Sequence, residues 1–176
     1  MVCLATPLVA QDTDELRTPE DTEITEGPMT YEKLGRIIFA LDPDAQPQGP
    51  GFLLTVADVT VLVVVDPVAD RMRAMVPVAD VESLSEEELI RVMQANFDSA
   101  LDARYAIANG MLWTTYIHPL SPLEKDQFIS GLGQTVNAAL TYGTLYSGGA
   151  MQFNGGDSPS IQRELIDDLL KKGEEI

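Results

Sequence analysis

The spacing of apolar residues changes period along this chain, and each change marks an element. Leu34, Ile37, Ile38 and Leu41 recur at the i, i+3, i+4, i+7 spacing of an amphipathic helix, with Thr30 ahead of them as N-cap. Pro43 and the Pro/Gln/Gly run to Gly51 predict the end of that helix and a loop. Phe52–Ala57 and Val59–Val65 are dense in β-branched and aliphatic residues, which predicts two strands. Val61–Val65 shows no alternation, so it reads as a central strand covered on both faces. Asp66, Pro67 and Asp70 predict a turn. Arg71–Val78 returns to period two. Met72, Ala74, Val76 and Val78 share one face, Arg71, Arg73 and Met75 the other, and Pro77 suits an edge or a strand end.

Ser85 with Glu88 forms a capping box, and Leu89, Val92, Met93 and Phe97 then mark the inner stripe of a helix running to about Ser99. The strongest local signal follows. Arg104–Ala108, Asn109-Gly110 and Met111–Ile117 read as a β-hairpin, because Asn-Gly supplies the positive φ angles of a type I′ turn. A two-residue turn pairs Ala108 with Met111, Ile107 with Leu112, Ala106 with Trp113 and Tyr105 with Thr114. Ser121, Pro122 and Glu124 predict the start of a long helix with Phe128, Ile129, Leu132, Val136, Ala139, Leu140 and Gly143 down one side. Gly131 and Gly133 either permit close packing on the sheet or mark a bend. A last helix over 159–172 carries Ile161, Leu165, Ile166, Leu169 and Leu170.

The 176 residues suffice for one domain with a hydrophobic core. The pattern divides them into an apolar, uncharged 1–10, an acidic leader over 11–29 expected to be disordered, an α+β domain over 30–147, a Gly-rich linker over 148–158 and the last helix. Met1–Ala10 reads as the remnant of a signal peptide, without a basic start, which predicts a periplasmic or secreted protein. The alternative is a frayed apolar start on a cytoplasmic one. A net charge of −17 excludes nucleic acid as a partner, since phosphates require Lys and Arg, and no apolar stretch is long enough to span a bilayer. Acidity otherwise serves solubility.

Chemistry is scarce. The chain has one Cys, Cys3, and one His, His118, so neither an internal disulfide nor a histidine metal cluster is expected, and no cofactor is implied. No nucleophile elbow, phosphate loop or metal signature occurs, and Asn154–Asp157 lacks the further oxygens of a calcium loop. His118 beside Pro119 reads as a solvent-exposed imidazole closing a turn. No pair among the many carboxylates stands out, so a carboxylate-based hydrolase is a distant alternative. Met72, Met75, Met111 and Trp113 are the candidate partner-binding residues, because Met is adaptable and Trp is enriched at binding hot spots. Core packing is the competing account of these four.

The element order α-β-β-β-α-β-β-α resembles the type III secretion chaperone-like superfamily and, within it, the YbjN-like proteins. The resemblance covers roughly residues 30–146 and rests on the Met75-Val-Pro77 strand end before Ser85-Glu-Glu-Glu88-Leu-Ile and on the Arg104-Tyr105…Asn109-Gly110 hairpin. It implies an antiparallel sheet with helices and a non-catalytic homodimer that holds a polypeptide partner along apolar patches. A cytoplasmic secretion chaperone or regulator is the alternative to an exported binding module.

Overall fold

The computed structural model describes residues 27–98, 100–142 and 161–174. The signal-like segment, most of the acidic leader and the Gly-rich linker lie outside them. Thr30 caps α1 (Tyr31–Leu41) by accepting the Lys33 N–H at 3.2 Å. Four strands follow: β1 (Gln46–Gln48), β2 (Gly51–Val56), β3 (Val59–Asp66) and β4 (Arg71–Asp80). The first of these was expected to be loop. Its three residues pair in register with Gly51–Leu53, so the run between Pro43 and Gly51 folds back as a short edge strand.

A 3₁₀ turn at Val81–Ser83 leads to α2 (Glu86–Asp98), which opens on the expected box. Ser85 donates its N–H to Glu88 Oε2 at 2.8 Å, and Glu88 donates its own to Ser85 Oγ at 3.2 Å. The hairpin β5 (Arg104–Ala108) and β6 (Met111–Pro119) has the register read from the sequence, with Asn109 and Gly110 at φ 53° and 77°. The last elements are α3 (Lys125–Leu140) and α4 (Ile161–Glu174). The long helix therefore starts three residues later than Ser121 as cap would place it. Ser121 is engaged elsewhere: its N–H and hydroxyl both bind the Asp70 carboxylate, at 2.7 and 2.9 Å. Glu124 takes the cap position, with its N–H on Gln127 Oε1 at 3.1 Å.

All six strands form one antiparallel sheet in the order β1-β2-β3-β4-β6-β5. The chain is thus α+β, as its pattern implied. Pro77 lies in an interior strand, tolerated there because β4 bulges between Pro77 and Ala79. The core sits on one side of the sheet. Leu34, Ile37, Ile38 and Leu41 of α1 and Phe128, Ile129, Leu132 and Val136 of α3 bury against Phe52, Leu54, Val61, Val63, Val65, Met72, Ala74 and Val76. Each such side chain contributes about 1.5–3 kcal/mol of burial. A smaller cluster joins Val92 and Ala95 of α2 to Tyr105, Leu112 and Ala138.

Both glycines of α3 serve close approach. A Cβ at Gly131 would run into the Tyr116 ring on the sheet, and one at Gly133 would come within 2.7 Å of Ile166 Cγ1 on α4. The terminal helix accordingly docks on α3 of its own chain, and Leu169 joins the main core.

Two turns generate predictions. Ala57 and Asp58, between β2 and β3, adopt φ 49° and 63°, a left-handed pair built without glycine. That conformation costs a residue with a Cβ about 1–2 kcal/mol. Ala57→Gly should therefore raise the denaturant midpoint by the equivalent of about 0.5–1 kcal/mol, after the added backbone entropy of glycine is subtracted, with an unchanged m-value. At the β3–β4 turn, the Ser121 N–H and hydroxyl hold the Asp70 carboxyl below its ordinary range. A depressed carboxyl stabilises the fold above its unfolded pKa and loses that contribution as pH falls through the folded value. Acid titration of stability should show a steeper loss below about pH 4 in the wild type than in Asp70→Asn. Equal slopes would remove Asp70 from the account.

Candidate functional site

Among the described residues, helices pack on only one face of the sheet. Along β3, Val61, Val63 and Val65 are buried, whereas Leu62 and Val64 are half-exposed. The expectation that this strand is covered on both sides is therefore wrong. Five consecutive aliphatics hid an ordinary period of two, because both faces are apolar and only one is covered.

Register carries the uncovered face across the sheet. Leu53, Leu62, Met75, Thr115 and Arg104 lie in one row from β2 to β5, and Val64, Arg73 and Ile117 in the next. Leu53, Leu62, Val64 and Met75 are half-exposed, and Ile117 is 53% exposed. Trp113 lies further along β6, opposite Pro77 and Ala106, and its indole N–H donates to Ala108 O at 3.1 Å. Met111 closes the same column at the hairpin end, half-buried.

Three of the four candidate partner-binding residues, Met75, Met111 and Trp113, thus share the helix-free face. Met72 does not. It is fully buried, pointing with Ala74 and Val76 into the core under α3, and offers no surface to a partner. Leu53, Leu62, Val64 and Ile117 belong to the face but were not singled out, since nothing in the sequence told the covered side of β3 from the open one.

A second apolar surface lies on α2. Of the expected stripe Leu89, Val92, Met93 and Phe97, Val92 is buried, joined by Ala95, whereas Met93 and Phe97 are exposed. Ile90, Met93 and Phe97 are 51%, 65% and 66% exposed and, with Leu89, Glu86 and Gln94, line a shallow groove. Apolar residues surround most of this helix, so periodicity alone could not choose its inner side. Leu140, at the end of α3, is likewise exposed.

The outer strands carry polar caps. The Asn96 side chain on α2 meets the free side of β5, donating to Tyr105 O at 3.0 Å and accepting the Tyr105 N–H at 2.7 Å. Past the end of β1, the Asp42 carboxylate accepts the Thr55 N–H of β2 at 2.7 Å. Such bonds occupy backbone groups that would otherwise template another strand.

A cleft beside β6 contains Asp102, Asp126, His118, Gln127 and Ser130. His118 was expected as a solvent-exposed imidazole closing a turn, but it stands within β6, half-buried, stacked on Tyr116 at 5.9 Å with its Nδ1 2.7 Å from Pro119 O. Burial, with Asp102 nearby, pushes the Tyr116 hydroxyl up to about 12. Asp102 and Asp126 are both exposed. Among the described residues no group of three or more His, Cys, Asp or Glu is placed to hold a metal, and no helix is long and apolar enough to cross a membrane.

No family model matches the chain, and no curated protein matches it. Among solved structures, a chain of the ExsC–ExsE complex aligns with a TM-score of 0.52 and 14% identity, over 67% of this chain and 96% of its own length. The type III secretion chaperone SycH of Yersinia pestis, solved with a stable fragment of YscM2, aligns with a TM-score of 0.47 and 14% identity, over 64% of this chain and 99% of its own. The fold is that of the secretion chaperones, as the element order implied. This likeness overturns the expected periplasmic or secreted placement. It favours the cytoplasmic alternative stated beside it.

The cap on β5 is open to test. Asn96→Ala should lower stability by about 1–3 kcal/mol, because it leaves two backbone groups of Tyr105 without their partner. It should also increase concentration-dependent aggregation on heating, read by light scattering, as the freed edge becomes available. A variant as stable and as soluble as the wild type would show that the Asn96 bonds carry no weight.

Proposed function

We propose that this protein is a non-catalytic, cytoplasmic binding module that works as a homodimer and holds a polypeptide partner on the helix-free face of its sheet. The observation that carries the reading is the row structure of that face, where Leu53, Leu62, Val64 and Met75 are half-buried and Ile117 is exposed, with no helix packed over them among the described residues. An apolar sheet face left open in a soluble chain marks an interaction surface. Met75 and Met111 suit a partner of variable sequence, since unbranched thioethers repack readily, and Trp113 supplies a large, rigid contact. With Asn96 and Asp42 on the outer strands, the face is the better-suited surface for an extended partner. The ExsC–ExsE complex supports it by analogy of fold. The finer kinship to YbjN-like proteins rests on sequence pattern alone.

The α2 groove is the proposed dimer contact. Ile90 and Met93 are spaced three apart and Phe97 a further four, so two copies could bury one continuous stripe by two-fold symmetry.

Two substitutions separate these roles. In light scattering the wild type should be a dimer and Met93→Glu a monomer with unchanged circular dichroism. In co-purification from the native host followed by quantitative mass spectrometry, Ile117→Asp should lose at least tenfold of the polypeptide retained by the wild type, and remain dimeric. Equal retention by wild type and Ile117→Asp would refute the sheet face as the binding surface, and a monomeric wild type would refute the dimer.

A further inference from the structure

We propose that the acidic segment 11–26 of this chain docks on the helix-free face of its own sheet, where it competes with a partner polypeptide. The inference rests on the reading of that face as a binding surface and names an occupant for it.

Charge complementarity is the first argument. The chain carries 28 acidic residues against 11 Lys and Arg, yet two of its arginines, Arg71 and Arg73, point to the helix-free side. Arg104 turns back onto the Leu101 and Ala103 carbonyls and lines the cleft with Asp126 and Ser130 of α3. Arg73 lies between Val64 and Ile117 in its row and, among the described residues, makes no ion pair. Asp66 faces the same way beside Arg71, but its carboxylate accepts the N–H groups of Val68 and Ala69, at 3.0 and 2.9 Å. Segment 11–26 has the complementary composition, with Asp12, Asp14, Glu15, Glu20, Asp21, Glu23 and Glu26 against Arg17. Leu16 and Ile24 are its large aliphatics, an even number of positions apart, so an extended chain presents both to the same side.

The second argument is an orphaned polar atom. Thr115, between Met75 and Arg104 in its row, is only 8% exposed, and its Oγ1 has no hydrogen-bond partner. A buried hydroxyl of this kind is normally satisfied, and the side chains that cover it would have to part before a chain laid over the row could reach it.

The third is reach. The Gly27 carbonyl accepts from Lys33 Nζ at 3.0 Å, and the Met29 N–H donates to Ser121 O at 3.0 Å. Ser121 is bonded to Asp70, so Met29, from which segment 11–26 is tethered, stands at the end of the sheet where Asp66, Arg71 and Pro119 share a row. Sixteen extended residues span about 50 Å, and six strands about 24 Å. Tethering supplies an effective concentration on the order of millimolar, so a weak contact suffices.

The test uses the full chain with a nitroxide at Thr13→Cys in a Cys3→Ser background, and reads paramagnetic broadening of side-chain methyl signals. At low salt, Leu53, Leu62, Val64 and Met75 should fall below half of their diamagnetic intensity while Met93 on α2 does not. The signals should recover at about 1 M salt, where the screening length drops to roughly 3 Å, and in Arg73→Glu. A mixture of nitroxide-labelled chains and isotope-labelled chains should show no broadening. Undiminished signals, broadening centred on Met93, insensitivity to Arg73→Glu, or broadening in the mixture (a second copy as the source) would each overturn the proposal. If such a result accompanies Ile117-dependent capture of a polypeptide, this inference falls and the binding function stands.

Discussion

The structure depends on a one-sided sheet. Two helices, α1 and α3, cover the side on which Val61, Val63, Val65, Met72 and Ala74 point, α4 packs on both of them, and α2 closes the same side near the hairpin. Two contacts set this arrangement. Gly131 lets α3 lie against the Tyr116 ring, and the Thr114 hydroxyl and the Thr135 carbonyl join at 2.9 Å. The Tyr105 hydroxyl reaches Ala138 O in the same way, so the hairpin is anchored to α3 through buried polar bonds as well as by packing. With the helices so placed, every side chain of opposite parity on β2, β3, β4 and β6 is left on the uncovered face.

That division explains why so much binding potential accompanies so little chemistry. A covered face has to be aliphatic, but β3 is aliphatic on both faces, and Leu62 and Val64 gain nothing from α1 or α3. Their hydrophobicity is unused within the described fold. The polar groups of the molecule, by contrast, are largely committed. Asp70 holds Ser121, Asp42 holds Thr55, Asn96 holds Tyr105 and Gln134 holds the Asp102 and Ala103 N–H groups at 2.8 and 3.3 Å. These side chains define loops and edges.

Local chemistry made much of the fold legible in the sequence. Asn109-Gly110 determines the hairpin and its register, Thr30 and Ser85 begin their helices, and the period of β4 separates Met72 from Met75. What escaped depends on partners distant in sequence. Ser121 has the composition of a helix cap but bonds to Asp70, fifty-one positions earlier. The edge strand at Gln46–Gln48 has no apolar signature and exists only because β2 is there to pair with it. Met93 and Phe97 fit an inner stripe as well as Val92 and Ala95 do, until the position of β5 selects between them. Met72 was grouped with the binding residues by residue type, although its parity already put it with Ala74 and Val76.

The account turns on adjacent residues of β3 having opposite surroundings, and denaturant unfolding of Val63→Asp and Val64→Asp measures this directly. A charge at Val63 enters the core, so that variant should be unfolded or destabilised beyond about 3 kcal/mol. Val64→Asp should stay folded within about 1 kcal/mol of the wild type, with the same m-value. Comparable destabilisation of the two would mean that both faces of the sheet are covered, and would contradict the account.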